Sequence, residues 1–237
     1  MPRYPLSAVD LSVIVPIPAA VADNPAAAFV ALAGEPPLAR VVRSALGPQR
    51  RIVVAAAEQL TDEVRDCLAA HELSSVAVAV VEGSATRREC VAAALENLGG
   101  ESIPTPLVLV HDHRYPLALS GVCDRVIERL RAGSPVVFPA LPLTDSVKAV
   151  DSSGRIIETV DRTMLRTVQY PRGFTWVRLS SLVAACPTDD FDEVEEVIRA
   201  GLAITVVDGD PDAFVVDLPS DGQLVEAIIS TRQDDPR

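Results

Sequence analysis

Short apolar runs alternate with helix-period segments through the first half of the chain. Runs at residues 12–17 (SVIVPI), 51–55, 76–81 (VAVAVV), 107–110 (LVLV) and 135–139 are rich in Val and Ile and bounded by polar or turn-forming residues, so they read as strands. Between them, segments 36–46, 61–71, 86–98 and 120–131 carry the apolar spacing of one buried helix face. Strands alternating with helices of this length predict βαβ units and a mostly parallel sheet. In such sheets ligands bind beyond the carboxyl ends of the strands, which is where LVLV runs into His111, Asp112 and His113.

After residue 143 the pattern changes. Segments 146–150 and 155–160 alternate apolar and polar positions around Asp151-Ser-Ser-Gly154, which predicts a β-hairpin. No helical segment is at hand to cover it. The ribbon over 144–163 is therefore expected to dock on another subunit as an arm, the alternative being that it folds against its own domain. Two helices should follow, the second entered through Cys186-Pro-Thr-Asp-Asp190 with Thr188 or Asp189 as N-cap. Strands at 203–208 and 214–217 and a helix over 222–230 complete the order, and residues 1–237 read as one domain.

Composition narrows the class. The chain of 237 residues is 49% hydrophobic but only 4% aromatic. Its interior must be built from Ala, Val, Leu and Ile, as in parallel sheets covered by helices. A formal charge of −12 repels a long phosphate backbone and argues against a nucleic-acid partner. A small anion remains compatible, because arginines in a cleft outweigh acids screened beyond about 8–10 Å. The four cysteines show no CxxC or Cys/His ligand spacing and fit reduced thiols in a cytoplasm. With no signal-peptide pattern and no apolar run long enough to cross a bilayer, a cytoplasmic protein with no membrane partner is expected.

Three clusters carry candidate chemistry. In extended backbone His111 and His113 point to one side and Asp112 to the other, so a His-x-His metal site would need a bend; loop-entry polarity is the alternative reading. Asp112 at this sheet edge is the better partner for a divalent ion carrying phosphates. In EGSATRREC, Gly83 and Ser84 permit close backbone approach, and the helix start after them offers amide N–H groups to an anion or a base. Lys148 and Arg162 fall on the two legs of the hairpin, where cations also serve as edge protection.

Taken in order, these segments resemble the 2-C-methyl-D-erythritol 4-phosphate cytidylyltransferase family of the non-mevalonate isoprenoid pathway. EGSATRRECV is similar to GG-x-x-R-x-D-S-V, VHDHRYP to V-H-D-A-A-R-P, and LPLTDSVKAVDSSGRIIETVDR to a D-T-x-K…T-x-x-R arm. VQYPRGF resembles Q-T-P-Q-x-F, TDD resembles T-D-[DE], and VVDGDPDAFVVDLPSD resembles G-x-x-x-N-x-K-x-T-x-x-x-D. The resemblance implies an α/β, Rossmann-like nucleotidyltransferase fold with a protruding β-hairpin arm and a homodimer joined through that arm. It also implies attack of a sugar-alcohol phosphate on the α-phosphate of CTP, with Mg²⁺ and release of pyrophosphate. Asp112 would meet the metal and the substrate phosphate, with Ser146, Arg162 and Thr188 near the substrate. The nucleotide would lie against Pro16, Gly83, Ser84, Cys90 and His113.

The chain departs from the family where charge is handled. The family loop A-A-G-x-G-x-R…P-K is replaced by PIPAAVADNPAAA over 16–28, with no glycine, arginine or lysine, and Ala27 stands at the position of the family's Lys. Pro18 and Pro25 have no N–H to offer a phosphate. Tyr115 occupies an Arg position, and Arg114 is displaced by one place, which in extended backbone turns it to the opposite side. Tyr170 stands for a substrate-binding Thr, Val215 for a phosphate-binding Lys, Ser84 for a Gly and Cys90 for a Ser. Two functions are expected from this pattern. One is a weak or altered nucleotidyltransferase acting on CTP or another small phosphate ligand, with Arg87, Arg88 or Arg114 as substitute cations. The other is an inactive paralogue that acts as a binding or regulatory partner, as a heterodimer with an intact cytidylyltransferase.

Overall fold

The structure is a computed structural model that describes residues 10–99 and 106–234. Its order is β1 (Leu11–Ile17), α1 (Ala26–Phe29), α2 (Pro37–Ala45), β2 (Arg50–Ala57), α3 (Thr61–Ala70), β3 (Ala77–Val81), α4 (Arg87–Gly99), β4 (Leu107–Val110) and α5 (Ser120–Arg131). There follow β5 (Val136–Pro142), β6 (Val147–Val150), β7 (Ile156–Val160), β8 (Arg166–Val168), β9 (Arg172–Thr175), α6 (Trp176–Ala185), α7 (Glu193–Arg199), β10 (Thr205–Asp208) and α8 (Gly222–Asp234). The main sheet runs β10-β5-β9-β4-β1-β2-β3, with β8 added on β5. β1, β2, β3 and β4 pair in parallel, as do β5 and β10, while β9 lies antiparallel between β4 and β5. This is the mostly parallel α/β sheet, flanked by helices, that the alternation predicts. No helix among the described residues is long and apolar enough to cross a membrane.

The central strands are buried throughout, as their unbroken apolar runs require of a sheet covered on both faces. Each fully buried Val, Leu or Ile contributes about 1.5–3 kcal/mol relative to exposure. Two strands escape sequence reasoning. β8 and β9 are short and begin with arginine, and their pairing is set by the strands beside them rather than by an apolar pattern of their own.

Within β9, a side chain at Gly173 would place its Cβ 2.5 Å from Val126 Cγ1 and 2.9 Å from Leu130 Cδ1 of α5. Gly173→Ala is therefore expected to destabilise the fold by about 1–3 kcal/mol through overpacking, measured by urea unfolding. An unchanged midpoint would mean that α5 yields freely.

Two expectations are corrected. α7 begins at Glu193, not near residue 188, and its cap is neither Thr188 nor Asp189 but Asp192, whose Oδ1 accepts the N–H groups of Val194 at 2.8 Å and Glu195 at 3.1 Å. Segment 214–217 alternates like a strand but joins no sheet. Its backbone donors go elsewhere, Val216 to the Arg114 carbonyl and Asp217 to the Asp221 carboxylate, while Val216 packs with Leu218, Val225 and Ile229.

The hairpin forms as β6 and β7, a separate two-stranded sheet with Val147 opposite Val160 and Lys148 opposite Thr159. It extends from the antiparallel β5–β8 pair, and Arg162 Nη1 closes its base by donating to the Thr144 carbonyl.

Candidate functional site

Beyond the carboxyl ends of β1 and β4 lies a cavity of about 340 Å³. The segment after β1 forms one wall through Pro18, Ala20, Val21, Asn24 and Ala27; Arg87, Asp112, His113 and Arg114 form the other. The first wall is held in place by backbone bonding, with the Ala19 N–H on the Ala85 carbonyl at 2.9 Å, and it brings no cation to the cavity. Pro16 is buried within β1 opposite Ala55 and is not part of the lining.

Asp112 is fully buried at the end of β4. Its Oδ1 accepts from Arg114 N at 3.0 Å and Arg114 Nε at 3.1 Å, and its Oδ2 accepts from Arg87 Nη1 at 3.0 Å and Arg114 Nη2 at 3.1 Å. Burial disfavours the charged form, but Arg87 first, then His113 and Arg114, hold the carboxyl far below the ordinary range. The expectation that Arg114 turns away is thus corrected. The backbone does not stay extended: the Tyr115 N–H returns to the Asp112 carbonyl at 3.0 Å, and this turn brings the Arg114 side chain back over Asp112. Tyr115 itself packs in the core against Tyr170, with ring centroids 5.1 Å apart.

Arg87, at the start of α4, is tied on its other edge to Glu193 of α7. Its Nε and Nη2 reach Glu193 Oε1 at 3.2 and 2.8 Å, and Nη2 also donates to the Tyr170 hydroxyl at 3.0 Å. Glu193 Oε2 accepts from Tyr170 Oη at 2.7 Å and Arg172 Nη1 at 2.5 Å. Arg172 stacks 4.2 Å from the Tyr170 ring centroid and also pairs with Asp192. Burial would lower Arg87, but Glu193 above all holds it above its ordinary value. Burial, then Glu193, pushes the Tyr170 phenol well above its own. Sequence reasoning missed Glu193 and Arg172. A glutamate in the acidic first turn of a helix has the same local signature as a solvated one.

The N-terminus of α4 is closed by its own side chains rather than left open to an anion. Glu89 Oε2 accepts from Thr86 N at 2.8 Å and Ser84 Oγ at 2.7 Å, while Glu89 N donates to Thr86 Oγ1 at 3.3 Å, a capping box. Gly83, at φ +76°, makes the turn before it, in a region that favours glycine. Cys90 is buried, and burial raises its thiol to about 12. Arg88 pairs with Asp189. Ser146, Arg162 and Thr188 are exposed and are not part of the cavity lining; Thr188 Oγ1 donates to the Asp190 carbonyl. Val215 is exposed as well.

The donor set does not fit a divalent ion held by Asp112. A carboxylate offers about four lone-pair positions, and the four hydrogen bonds from Arg87 and Arg114 occupy them. Among the described residues, no three His, Cys, Asp or Glu side chains are grouped to hold a metal. His111 is fully buried, and its Nδ1 is taken up by the Asp112 N–H at 2.9 Å.

Burial lowers the His111 imidazole to about 4, from an ordinary value of about 6.5. The folded state thus favours neutral His111, so its stability is full above pH 6.5 and falls as the unfolded chain takes up a proton on acidification. Between pH 6.5 and 4 the loss is about 3 kcal/mol. His111→Asn, whose amide oxygen can accept the same N–H, is expected to flatten this part of the stability profile. A slope identical to that of the parent protein would rule out His111 as its source.

A polar corner beyond the strand ends of a helix-flanked, mostly parallel sheet places the protein in the class of α/β folds that bind ligands at that edge. The crystal structure of 2-C-methyl-D-erythritol 4-phosphate cytidylyltransferase from Thermus thermophilus shares this fold at TM-score 0.72 and 27% identity, over 93% of this chain and 99% of that one. Residues 14–231 match the family described as IspD, 2-C-methyl-D-erythritol 4-phosphate cytidylyltransferase, and the chain belongs to that family. Curated relatives of the same name from Streptomyces coelicolor and Streptomyces avermitilis are 39% and 38% identical. Each alignment covers 87% of this chain, and 78% and 85% of the relatives respectively.

Proposed function

We propose that this protein is a cytidylyltransferase of isoprenoid biosynthesis whose transfer activity is strongly weakened. It keeps a pocket for CTP or another small phosphate ligand but lacks the fixed cations that would hold a triphosphate for attack. The observation that supports this most directly is the cavity wall of Pro18, Ala20, Val21, Asn24 and Ala27, facing two arginines already committed to Asp112. Titration with CTP and Mg²⁺, followed by pyrophosphate release with 2-C-methyl-D-erythritol 4-phosphate, tests the reading. Turnover comparable to that of the Streptomyces coelicolor relative would refute it.

In this reading residues 1–237 form one domain, and the 144–163 hairpin is its dimerisation arm. The arm exposes Val150, Ile157 and Ile156 (68%), apolar side chains that a second subunit would cover. The same surface supports a second reading, in which an inactive paralogue pairs through the arm with an intact cytidylyltransferase and regulates it. Co-expression is expected to yield co-purifying heterodimers under that reading. Separate homodimers would exclude it and leave the arm to self-association.

A further inference from the structure

The cavity beside Asp112 keeps the marks of a ligand site despite its missing cations. Its volume, about 340 Å³, lies at the lower end for small-molecule pockets. His113 lines it and is buried, with its Nδ1 turned to Asp112 Oδ1 at 3.7 Å and closed off from the cavity. Arg114 lines it as well, with half of its side chain exposed. Nε and Nη2 are the nitrogens that hold Asp112, so Nη1 remains for a ligand.

Charge limits what that ligand can be. The lining holds Arg87 and Arg114 against Asp112, a surplus of one positive charge, and Glu193 draws Arg87 further inward. Pro18 and Ala27 on the facing wall add nothing to it. Asp112, with every lone pair engaged, cannot recruit a metal to offset more anionic charge. A phosphate monoester, at about −1.5 to −2, comes closer to that surplus than a triphosphate, whose further negative charge this pocket does not meet.

We infer that the pocket takes a nucleoside monophosphate, held without a metal ion by Arg114 and His113, in preference to a nucleoside triphosphate. The nucleoside body rests on the proposed function; the single phosphate rests on the charge of the lining.

Calorimetry on the full chain with CMP, CTP, cytidine and inorganic phosphate, each with and without Mg²⁺, tests the inference. CMP is expected to bind roughly tenfold or more tightly than CTP, with no dependence on Mg²⁺. Arg114→Gln should weaken CMP by about ten- to hundredfold while cytidine binding stays unchanged, which also reports that the pocket is intact. His113→Ala should weaken CMP and cytidine together. CTP binding as tightly as CMP, a requirement for Mg²⁺, CMP no tighter than cytidine or inorganic phosphate, or no heat from either nucleotide would each overturn it. Pyrophosphate release separates the two claims. Turnover at the relative's rate refutes the weakened enzyme whatever CMP does, whereas no turnover with CTP the tighter ligand refutes only the ligand class.

Discussion

Pyrophosphate release from CTP and 2-C-methyl-D-erythritol 4-phosphate is expected to run at least about 10³-fold slower in this protein than in its Streptomyces coelicolor relative. One lost donor aimed at developing negative charge costs roughly 10² to 10³ in rate, and a lost arginine at a phosphoryl centre about 10³ to 10⁵. Such losses within one site are not additive, so the larger single effect sets the scale. The structure limits the substitutes. Arg87 is bound on both edges by Asp112 and Glu193, and Arg88 pairs with Asp189. Arg114 alone among these three lines the cavity with much of its side chain exposed, and it too is engaged with Asp112. A steady-state assay of both proteins under the same conditions decides the matter, and rates within tenfold would show that Arg114 replaces the loop cations in full.

Replacing Glu193 by alanine is expected to lower stability by about 3–5 kcal/mol, the cost of stripping one partner from a buried ionic network. The Glu193 side chain is 0% exposed and accepts from Arg87, Tyr170 and Arg172. Without it, Arg87 retains Asp112 and Arg172 retains Asp192, but the Tyr170 hydroxyl loses its acceptor and both guanidiniums lose a buried counter-charge. Arg87 keeps some solvent contact, which places the effect toward the lower end of that range. Glu195→Ala, at an exposed position of the same helix, is the control and should change stability by no more than about 0.5 kcal/mol. Equal losses in the two variants by urea unfolding would show that the network contributes nothing beyond helix α7 itself.

The Glu193 network also marks where reading the chain stops. Tyr170 was legible as a departure from a family Thr, because the residues around it are matched one by one. Its partner was not, since Glu193 lies 23 residues further on in an acidic run that looks solvated. Asp112 was legible as a strand-end acid, but its saturation by Arg114 depends on a turn that extended geometry does not anticipate. The strand–helix alternation, by contrast, predicted β1 to β5 and α2 to α5, and it failed at segment 214–217, where alternation exists without a neighbouring strand edge.

Local order was therefore settled by the chain alone. Apolar periodicity dictates strand and helix wherever burial on one or both faces is demanded, and the identity of residues 16–28 already excludes a cation from the first loop. The fate of the remaining charges was decided only by folding. Whether an arginine serves a ligand or an internal carboxylate depends on which side chains the topology brings within hydrogen-bonding distance, and Arg87 meets Glu193 across 106 positions of sequence.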